Sequence, residues 1–433
     1  MIGKALLRKG WCPGVRRPMP AKDGLLVRLR ITGGIVTAPV LRMLAHAGRD
    51  HGNGFFDLSA RGNLQIRGVR EANLPALVEM LGELGLAGEN AASEAVRNIL
   101  LNPLAGLNGC NETVEAAKAL EGLLANNEDL HALPGKFGFL IDDGGPLSLG
   151  TIAADIRFDW VGGTRPFAIG IGGCASEAVF LGQCSAASIP SIAAQLARAF
   201  LKLGLSMAET PRRMRNLIAH CGAKAIAGEA GLCICETPKP RSAGEPCPVG
   251  PMRFYDIACF GAGVTFGSLD ADMLEAAAQA AEIYGAGEIR LTPWRSLIIP
   301  HIREDQAGAI SAFFAKSGFI AEREDPRLAV AACAGAATCD RGTTDTRSDA
   351  LSLMILARQL YKTGIALHVS GCVKDCARQA AVPLTLIAHD GVYDLFADKA
   401  ARNAGIGNAR RLGIPAVQNL LAAAVHKAGH GMS

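Results

Sequence analysis

Four cysteines near the end of the sequence have the spacing of iron–sulfur ligands. Cys333 and Cys339 enclose five residues in CAGAATC, and Cys372 and Cys376 enclose three in SGCVKDCA. Two pairs of thiolates on two loops suit a [4Fe-4S] cluster with four cysteine ligands. Structural zinc sites favour tighter pairs, so the five-residue gap argues against zinc. The alternative is four ordinary buried cysteines, since free cysteine is among the most buried residue types.

The composition indicates a globular chain with reduced thiols. Of the 433 residues, 49% are apolar and 19% charged, which is ordinary for a globular protein with several domains. The odd number of 13 cysteines, with no recognisable export signal at the start, predicts free thiols and metal ligands rather than disulfides. Cys233 and Cys235 form a C-x-C pair, which is not expected to hold a metal.

Two classes of partner are not expected. The net charge of +4 is too small to indicate nucleic acid binding. No apolar run reaches the roughly 18 residues that a membrane span requires. We therefore expect a cytoplasmic protein with no membrane partner.

The chain contains an internal repeat. Apolar alternation and helical spacing predict strand, helix, strand, strand, helix over residues 25–86, and the same order over 252–319. The segments FFDLSARGNLQIRGV and EIRLTPWRSLIIPHI keep one register between the two units. The residues matched in that register are Leu58 with Leu291, Ser59 with Thr292, and Leu64 with Leu297. Such a duplication predicts a pseudo-twofold axis and a crevice between the halves, which suits a large flat ligand.

These segments resemble the sulfite and nitrite reductase hemoprotein family over nearly the whole chain. The matching pieces are WCPGVRRPM, GLLVRLRITGG, SARGNLQIRGV, VRNILLNP, LPGKFGFLIDDGG, LTPWRSLIIP and both cysteine pairs. The resemblance implies an α+β fold in which two ferredoxin-like half-domains and two homologous α/β modules are related by a pseudo-twofold axis. The predicted units are half-domains at residues 1–88 and 252–322, a tetrapyrrole-side module at 89–235, a linker at 236–251 and a cluster-bearing module at 323–433. In the family's reductases the last cluster cysteine, here Cys376, also bridges to sirohaem iron.

The resemblance assigns a group of polar residues to a tetrapyrrole edged with carboxylates. Arginine binds a carboxylate through two parallel hydrogen bonds, which makes it the favoured residue for such an edge. Arg61, Gln65 and Arg67 correspond to tetrapyrrole-contacting positions. Along a regular strand Gln65 and Arg67 project from the same face. The alternative is that several of these side chains are solvated surface charges.

Three further cations match positions with which the family's sulfite enzymes hold a small anion. They are Arg30, Arg97 and Lys136, which we expect to be catalytic. The fourth position, a second lysine in the sulfite enzymes, is Gly138 here. The missing ammonium removes charge and leaves room for something larger than sulfite. This difference favours the branch of the family that acts on a precorrin in cobalamin biosynthesis.

That branch is a monooxygenase that hydroxylates precorrin-3A at C20 with dioxygen and closes a γ-lactone. The first alternative to this predicted function is a sirohaem-dependent sulfite or nitrite reductase. The second is a cluster protein that only carries electrons or senses redox state, and the arginine set argues against it because a carrier needs no basic crevice. An absorption spectrum would separate these classes, since sirohaem has intense visible bands and a bare cubane cluster is brown.

The same branch implies a mononuclear non-haem iron whose ligands the sequence does not identify. No 2-His-1-carboxylate pattern stands out, and five histidines are expected to be core or surface residues: His46, His51, His220, His301 and His368. His368 is the first candidate because it precedes the cluster loop. Neither GIGGCA at 170–175 nor GAGVTFG at 261–267 completes a dinucleotide fingerprint. We therefore expect an external electron donor, either a ferredoxin or an NADH-dependent reductase.

Overall fold

The structure is a computed structural model that describes residues 11–163, 166–236, 238–240, 244–374, 376–378, 380–403 and 406–430. Within these residues the strands form four five-stranded sheets. The expectation of no export signal concerns residues 1–10, which lie outside the described residues. Among the described helices, none is long and apolar enough to cross a membrane.

The first half-domain is a sheet covered on one face by helices. Its first helix buries an apolar stripe that includes Leu41 and Leu44. A proline lies in the first turn of each helix, where its missing amide costs no hydrogen bond. The elements are β1 (Met19–Ala21), β2 (Gly24–Leu29), β3 (Ile35–Thr37), α1 (Ala38–His51), β4 (Phe55–Leu58), β5 (Leu64–Val69) and α2 (Leu74–Glu83).

The first α/β module has a mixed sheet in the order β10-β9-β8-β7-β6. Its elements are α3 (Ala91–Val96), β6 (Ile99–Leu101), α4 (Glu112–Asn126), β7 (Phe139–Asp142), β8 (Ala154–Trp160), β9 (Phe167–Gly173), β10 (Val179–Cys184), α5 (Ile189–Gly204) and α6 (Met214–Glu229). Strands β6, β7 and β8 are parallel, whereas β9 and β10 continue antiparallel. The sequence pattern does not predict α6, because Gly222 interrupts its helical geometry and its apolar stripe is weak.

The second half-domain repeats the first. Its elements are β11 (Gly250–Phe254), β12 (Ile257–Gly263), β13 (Ser268–Asp270), α7 (Ala271–Tyr284), β14 (Glu288–Leu291), β15 (Ser296–Pro300) and α8 (Ala307–Lys316). The element order predicted over 252–319 begins with one strand, and this is wrong, because the chain reverses at Tyr255 to make the β11–β12 hairpin. Tyr255 adopts a left-handed φ of 55°, which the apolar alternation of this segment does not reveal.

The second α/β module has its sheet in the order β16-β17-β18-β19-β20. Its elements are β16 (Val330–Ala332), α9 (Gly335–Thr338), α10 (Thr346–Leu360), β17 (Leu367–Ser370), β18 (Leu384–His389), β19 (Val392–Ala397), α11 (Lys399–Asn403), β20 (Ala409–Leu412) and α12 (Ile414–His430). Strands β16, β17 and β18 are parallel, and β19 and β20 continue antiparallel. The module thus repeats the topology of the first one.

The two half-domains correspond residue by residue. Helices α1 and α7 have 14 residues each, and α2 and α8 have 10 each. The cross-strand pair Leu58–Leu64 recurs as Leu291–Leu297, in the register that the sequence predicts. The internal repeat is therefore confirmed at the level of individual strand pairs.

The half-domains also exchange strands. Strand β3 of the first half pairs with β14 of the second, and β13 of the second pairs with β4 of the first. Helix α1 packs against α7, and one hydrophobic core runs through both halves. The two half-domains are therefore joined through shared sheets and one core.

Candidate functional site

The outward face of the first half-domain sheet carries a row of basic and polar side chains. Alternation along β2 and β5 buries Leu29 and Ile66 in the core and turns Arg28, Gln65 and Arg67 away from it. Arg28 and Gln65 are direct cross-strand partners, and the Arg28 Nε and Nη2 atoms donate to Gln65 Oε1 at 3.2 and 3.0 Å. The modules cover this face, which explains why β5 is buried on both sides.

Arg30 lies at the contact between this face and the first module. Its Nε donates to Asn98 Oδ1 at 3.0 Å, and its Nη1 is 3.6 Å from Glu94 Oε1. Burial and the neighbouring Arg28 charge lower the pKa of Arg30 to about 10, and Glu94 opposes this shift. Arg30 therefore remains cationic at neutral pH. Arg97, one residue before Asn98, influences it electrostatically and is ion-paired with a glutamate of α4.

Arg61 and Gly138 face each other across the same contact. The Arg61 Nη2 atom donates to the carbonyl oxygen of Ala153 at 2.8 Å. A β-carbon built on Gly138 would lie 3.6 Å from Arg61 Nη1, which is an ordinary van der Waals contact. Lys136 is exposed and lies two residues before Gly138. The structure thus brings four of the predicted residues, Arg30, Arg61, Arg97 and Lys136, to one junction of half-domain and module.

A buried carboxylate that the sequence analysis does not identify supports this junction. Asp155 accepts from the Gly138 amide at 3.0 Å, from Arg213 Nη1 at 2.6 Å and from the Met214 amide at 2.8 Å. Burial raises the pKa of Asp155, and Arg213 opposes that shift. The sequence signal for this carboxylate was the presence of two aspartates, Asp155 and Asp159, in the largely apolar strand ADIRFDW. Asp155 fixes the loop that presents Lys136 and Gly138.

A thiol also lies among the arginines. Cys12 is hydrogen-bonded to the Arg28 guanidinium and interacts electrostatically with Arg30 and Arg61. It belongs to the WCPGVRRPM segment, which is one of the pieces that resemble the family. Its amide approaches the position where a β-carbon on Gly135 would lie, at 3.5 Å. The N-terminal segment therefore closes one side of the site.

Arg67 does not join the other predicted residues. Its Nε and Nη2 donate to Asp23 at 2.9 and 2.8 Å, and its Nη1 donates to Asp57 at 2.6 Å. Burial acts to lower the pKa of Arg67, but the two aspartates outweigh it and leave that pKa raised. A further bond from Nη2 reaches the carbonyl of Thr338 at 3.2 Å, beside Cys339. Arg67 thus links the sheet to the cysteine loops.

The four cysteines lie on two loops at the same edge of the second module. Strands β16 and β17 are adjacent and parallel, so their carboxyl ends meet. Cys333 directly follows β16, and Cys372 lies just beyond the end of β17. The Gly371 amide donates to Cys333 Sγ at 3.2 Å. The Cys376 thiol is influenced by all three other cysteines, so the four sulfurs form one group.

Backbone packing around the thiols fits a compact inorganic group. β-Carbons built on Gly335 and Gly342 would lie 2.6 Å and 2.3 Å from neighbouring atoms, so both positions require glycine. The Cys376 thiol, then the amides of Gly371 and Gly335, stabilise the Cys333 thiolate and lower the pKa of Cys333. Amide hydrogen bonds to cysteine sulfur are a feature of iron–sulfur sites. The donor set and its surroundings therefore fit a [4Fe-4S] cluster.

A mononuclear iron site does not fit the described part of the chain. No three His, Cys, Asp or Glu side chains there are placed to hold a single metal ion. His368 is 2% exposed in β17, between Ala331 and Thr385 of the neighbouring strands. His46 is 60% exposed and lies beside Glu275 on the surface. We derive no chemical step through such an iron.

The first module has carboxylates where the second has cluster loops. Asp142 ends β7, the counterpart of β17, and Asp143 follows it. The Gly145 amide donates to Asp143 Oδ1 at 3.1 Å. Burial raises the pKa of Asp143 to about 6, and the charge of Asp142 adds to the effect, while the Gly145 amide opposes it.

Replacing Asp143 by Asn should stabilise the protein at pH 7.5 and leave stability unchanged near pH 4. The pKa of Asp143 is raised on folding, so the folded state binds the proton more tightly and loses stability as pH rises through about 6. The expected gain is about 1–2 kcal/mol, because a shift of one pKa unit corresponds to about 1.4 kcal/mol and the side chain is partly solvated. Thermal unfolding at both pH values measures it, with the exposed Asp256→Asn as control. Equal gains at both pH values would contradict the assignment.

Comparison with known proteins places these features in a family. Residues 17–84 and 256–316 match the nitrite/sulfite reductase ferredoxin-like half domain. The structure resembles that of the Mycobacterium tuberculosis NirA protein, with a TM-score of 0.69 and 20% identity over 90% of this chain and 77% of that one. The predicted α+β architecture with two ferredoxin-like half-domains is confirmed. The chain belongs to the nitrite and sulfite reductase family.

Within that family the similarity is uneven. The chain is 31% identical to the precorrin-3B synthase of Sinorhizobium sp, across 92% of this chain and 84% of that protein. It is 25% identical to the chloroplastic ferredoxin–nitrite reductase of Spinacia oleracea, across 82% of this chain and 64% of that protein. The precorrin-3B synthase thus shares more of its sequence and more of its length with this chain than the nitrite reductase does.

Proposed function

We propose that the protein is a precorrin-3B synthase, which hydroxylates precorrin-3A at C20 with dioxygen and closes a γ-lactone. The observation that carries this proposal is Gly138 beside Arg61: a glycine stands where the resemblance places a fourth cation in the sulfite enzymes, and a β-carbon there would lie 3.6 Å from Arg61 Nη1. The similarity to the Sinorhizobium enzyme supports the same reaction. One oxygen atom enters the macrocycle and the other leaves as water. Two electrons come from the substrate and two from an external donor.

The basic residues would bind and orient the carboxylates of the macrocycle. Arg61 is the best placed, because one side of its guanidinium is held by the Ala153 carbonyl while Nη1 faces Gly138. Arg30 is buried and contacts Asn98, the Pro13 carbonyl and Glu94, so it contributes a positive charge at a fixed place. Lys136 is exposed and can reach a bound anion from the other side. Arg67 and Arg97 are neutralised by close ion pairs with carboxylates and Gln65 already accepts from Arg28, so we assign these three to shaping the site.

The four cysteines would hold the [4Fe-4S] cluster. When bound, the cluster supplies single electrons that it receives from a ferredoxin or a reductase. The protein provides thiolates on two adjacent loops, an amide donor to Cys333 and a link through Arg67 from the basic face to the loop of Cys339. That link ties the basic face to the cysteine loops through one side chain.

Arg61→Ala should weaken the binding of precorrin-3A by about 1.5–3 kcal/mol, the range for losing a hydrogen bond to a charged group. Arg61→Lys should restore binding only in part, because lysine lacks the bidentate geometry. Binding is measured by titration of the apoprotein with the tetrapyrrole. Turnover is measured with reductant and dioxygen, and its product should contain one more oxygen atom than precorrin-3A.

A matched control is Arg70→Ala in the same half-domain. Arg70 is exposed and, like Arg61, donates to a main-chain carbonyl, that of Asp50 at 3.3 Å. Its loss should leave binding unchanged. Equal affinities of the wild type and Arg61→Ala would place the tetrapyrrole elsewhere. Anaerobic reduction of sulfite or nitrite, with no product from precorrin-3A in air, would instead favour a sirohaem-dependent reductase.

A further inference from the structure

Arg295 connects the second half-domain to the loop that carries the last cysteine. Its Nη2 donates to the carbonyl of Ala377 at 2.7 Å, next to Cys376. Its side-chain stem passes over Gly267, where a β-carbon would come within 3.2 Å of Arg295 Cδ. The acceptor of this hydrogen bond is a neutral carbonyl, and no carboxylate of the described residues forms an ion pair with Arg295. Its charge is therefore not neutralised by a direct partner.

The backbone at Arg295 adopts a conformation that an arginine rarely takes. Its φ is 55°, in the left-handed region that favours glycine. The equivalent turn of the first half-domain has Gly62 there, with a φ of 67°. The duplicated turn therefore does not require an arginine.

Two more arginines lie close to Arg295, and each has its own carboxylate. Arg347 Nη2 donates to Asp57 at 2.9 Å, and Arg378 Nη1 donates to Glu245 at 3.0 Å. Burial lowers the pKa of Arg295, as do the charges of Arg347 and Arg378, whereas Asp57 and Cys376 oppose this shift. Of these three arginines, Arg347 and Arg378 each donate to a carboxylate, whereas the described hydrogen bond of Arg295 goes to a carbonyl beside Cys376.

We propose that Arg295 is a positioning residue that holds the Cys376 loop and raises the reduction potential of the cluster. The inference rests on the cluster assigned under the proposed function. A cubane with four thiolates is anionic and gains one more negative charge on reduction, so a nearby fixed cation favours the reduced state. The hydrogen bond to Ala377 keeps this cation at a fixed place beside one ligand.

The test compares midpoint potentials of the purified holoprotein by redox titration, followed through the electron paramagnetic resonance of the reduced cluster. Arg295→Gly removes the charge and suits the left-handed turn, so the variant should fold at least as stably as the wild type. Its midpoint potential should shift to a lower value. Arg295→Lys keeps the charge and should stay closer to the wild type. Arg303→Gln, an exposed arginine of the same half-domain paired with Asp305, should cause no shift.

The outcomes separate this inference from the proposed function. A wild-type protein without iron and sulfide would refute the cluster itself. A wild-type midpoint potential in Arg295→Gly, with normal cluster content, would overturn only the role of Arg295. If Arg295→Gly and Arg295→Lys both fail to hold the cluster, the side chain acts solely as an anchor and the electrostatic role is refuted.

Discussion

Cys339→Ser should abolish the brown chromophore of the purified protein and destabilise the second module. Serine lacks the thiolate that binds iron, and the two cysteine loops depend on metal–thiolate bonds for much of their order. The loops pack backbone against backbone at Gly335, Gly342 and Gly371, so disorder in one loop would spread to the other. Iron and sulfide analysis and the visible spectrum measure the cluster, and thermal unfolding measures the stability of the module.

Cys233→Ser and Cys235→Ser are the controls for this experiment. Both cysteines are exposed in the first module, on a segment after α6 that runs alongside β10, and neither belongs to the cluster loops. Their replacement should leave the iron content and the spectrum unchanged. A wild-type content of iron and sulfide in Cys339→Ser would remove this cysteine from the ligand set.

The cysteine loops show which part of a site a sequence reveals. The spacing of Cys333, Cys339, Cys372 and Cys376 is a local property, so it predicts the ligand set directly. The meeting of the two loops depends on the parallel pairing of β16 with β17, and an α/β pattern makes that pairing the expected one. The roles of the surrounding glycines could not be assigned, because their close contacts form only when the loops fold: Gly342 meets Gly335, and Gly371 meets both.

The contacts of the basic residues were harder to predict. Alternation along a strand shows on which face of the sheet a side chain lies, but it does not show which residue that side chain contacts. Gln65 and Arg67 lie on one face of β5, as strand periodicity indicates. Arg67 nevertheless turns to Asp23 and Asp57, which no local pattern connects with it. Arg295 was missed for the same reason, since its contact is with a loop of the second module. Long-range ion pairs decide which cations remain available to a ligand.

Duplication alone would also predict a second basic face, whereas the described residues of the second half-domain form an apolar one. The second half-domain has Gly263, Trp294 and Ile298 at the positions of Arg30, Arg61 and Gln65. Trp294 and Ile298 pack there with apolar side chains of the first module, among them Leu104 and Leu147. The second copy of the face thus stabilises the assembly by burying apolar surface, and the first copy keeps the charges that a carboxylate-bearing ligand needs.

Gly138→Lys should lower the oxygen-dependent conversion of precorrin-3A by about 100-fold or more and should not create a sulfite reductase. The new ammonium would extend from a point 3.6 Å from Arg61 Nη1, into the space assigned to the macrocycle. An uncompensated charge in a partly buried site costs about 3 kcal/mol or more, which corresponds to that loss. Single-turnover assays with reductant, in air and without oxygen, measure the effect.

Gly138→Ala distinguishes this steric and electrostatic cause from a general need for glycine. Gly138 does not adopt a left-handed φ, and its β-carbon would meet only ordinary contacts, with Arg61 Nη1 at 3.6 Å and the Asn98 carbonyl at 3.8 Å. Alanine should therefore fold normally and keep most of the activity, whereas lysine should not. If lysine is tolerated as well as alanine, the macrocycle does not occupy this space. If alanine is as harmful as lysine, Gly138 is required by the backbone of its loop, and the argument that the missing lysine marks a precorrin site fails.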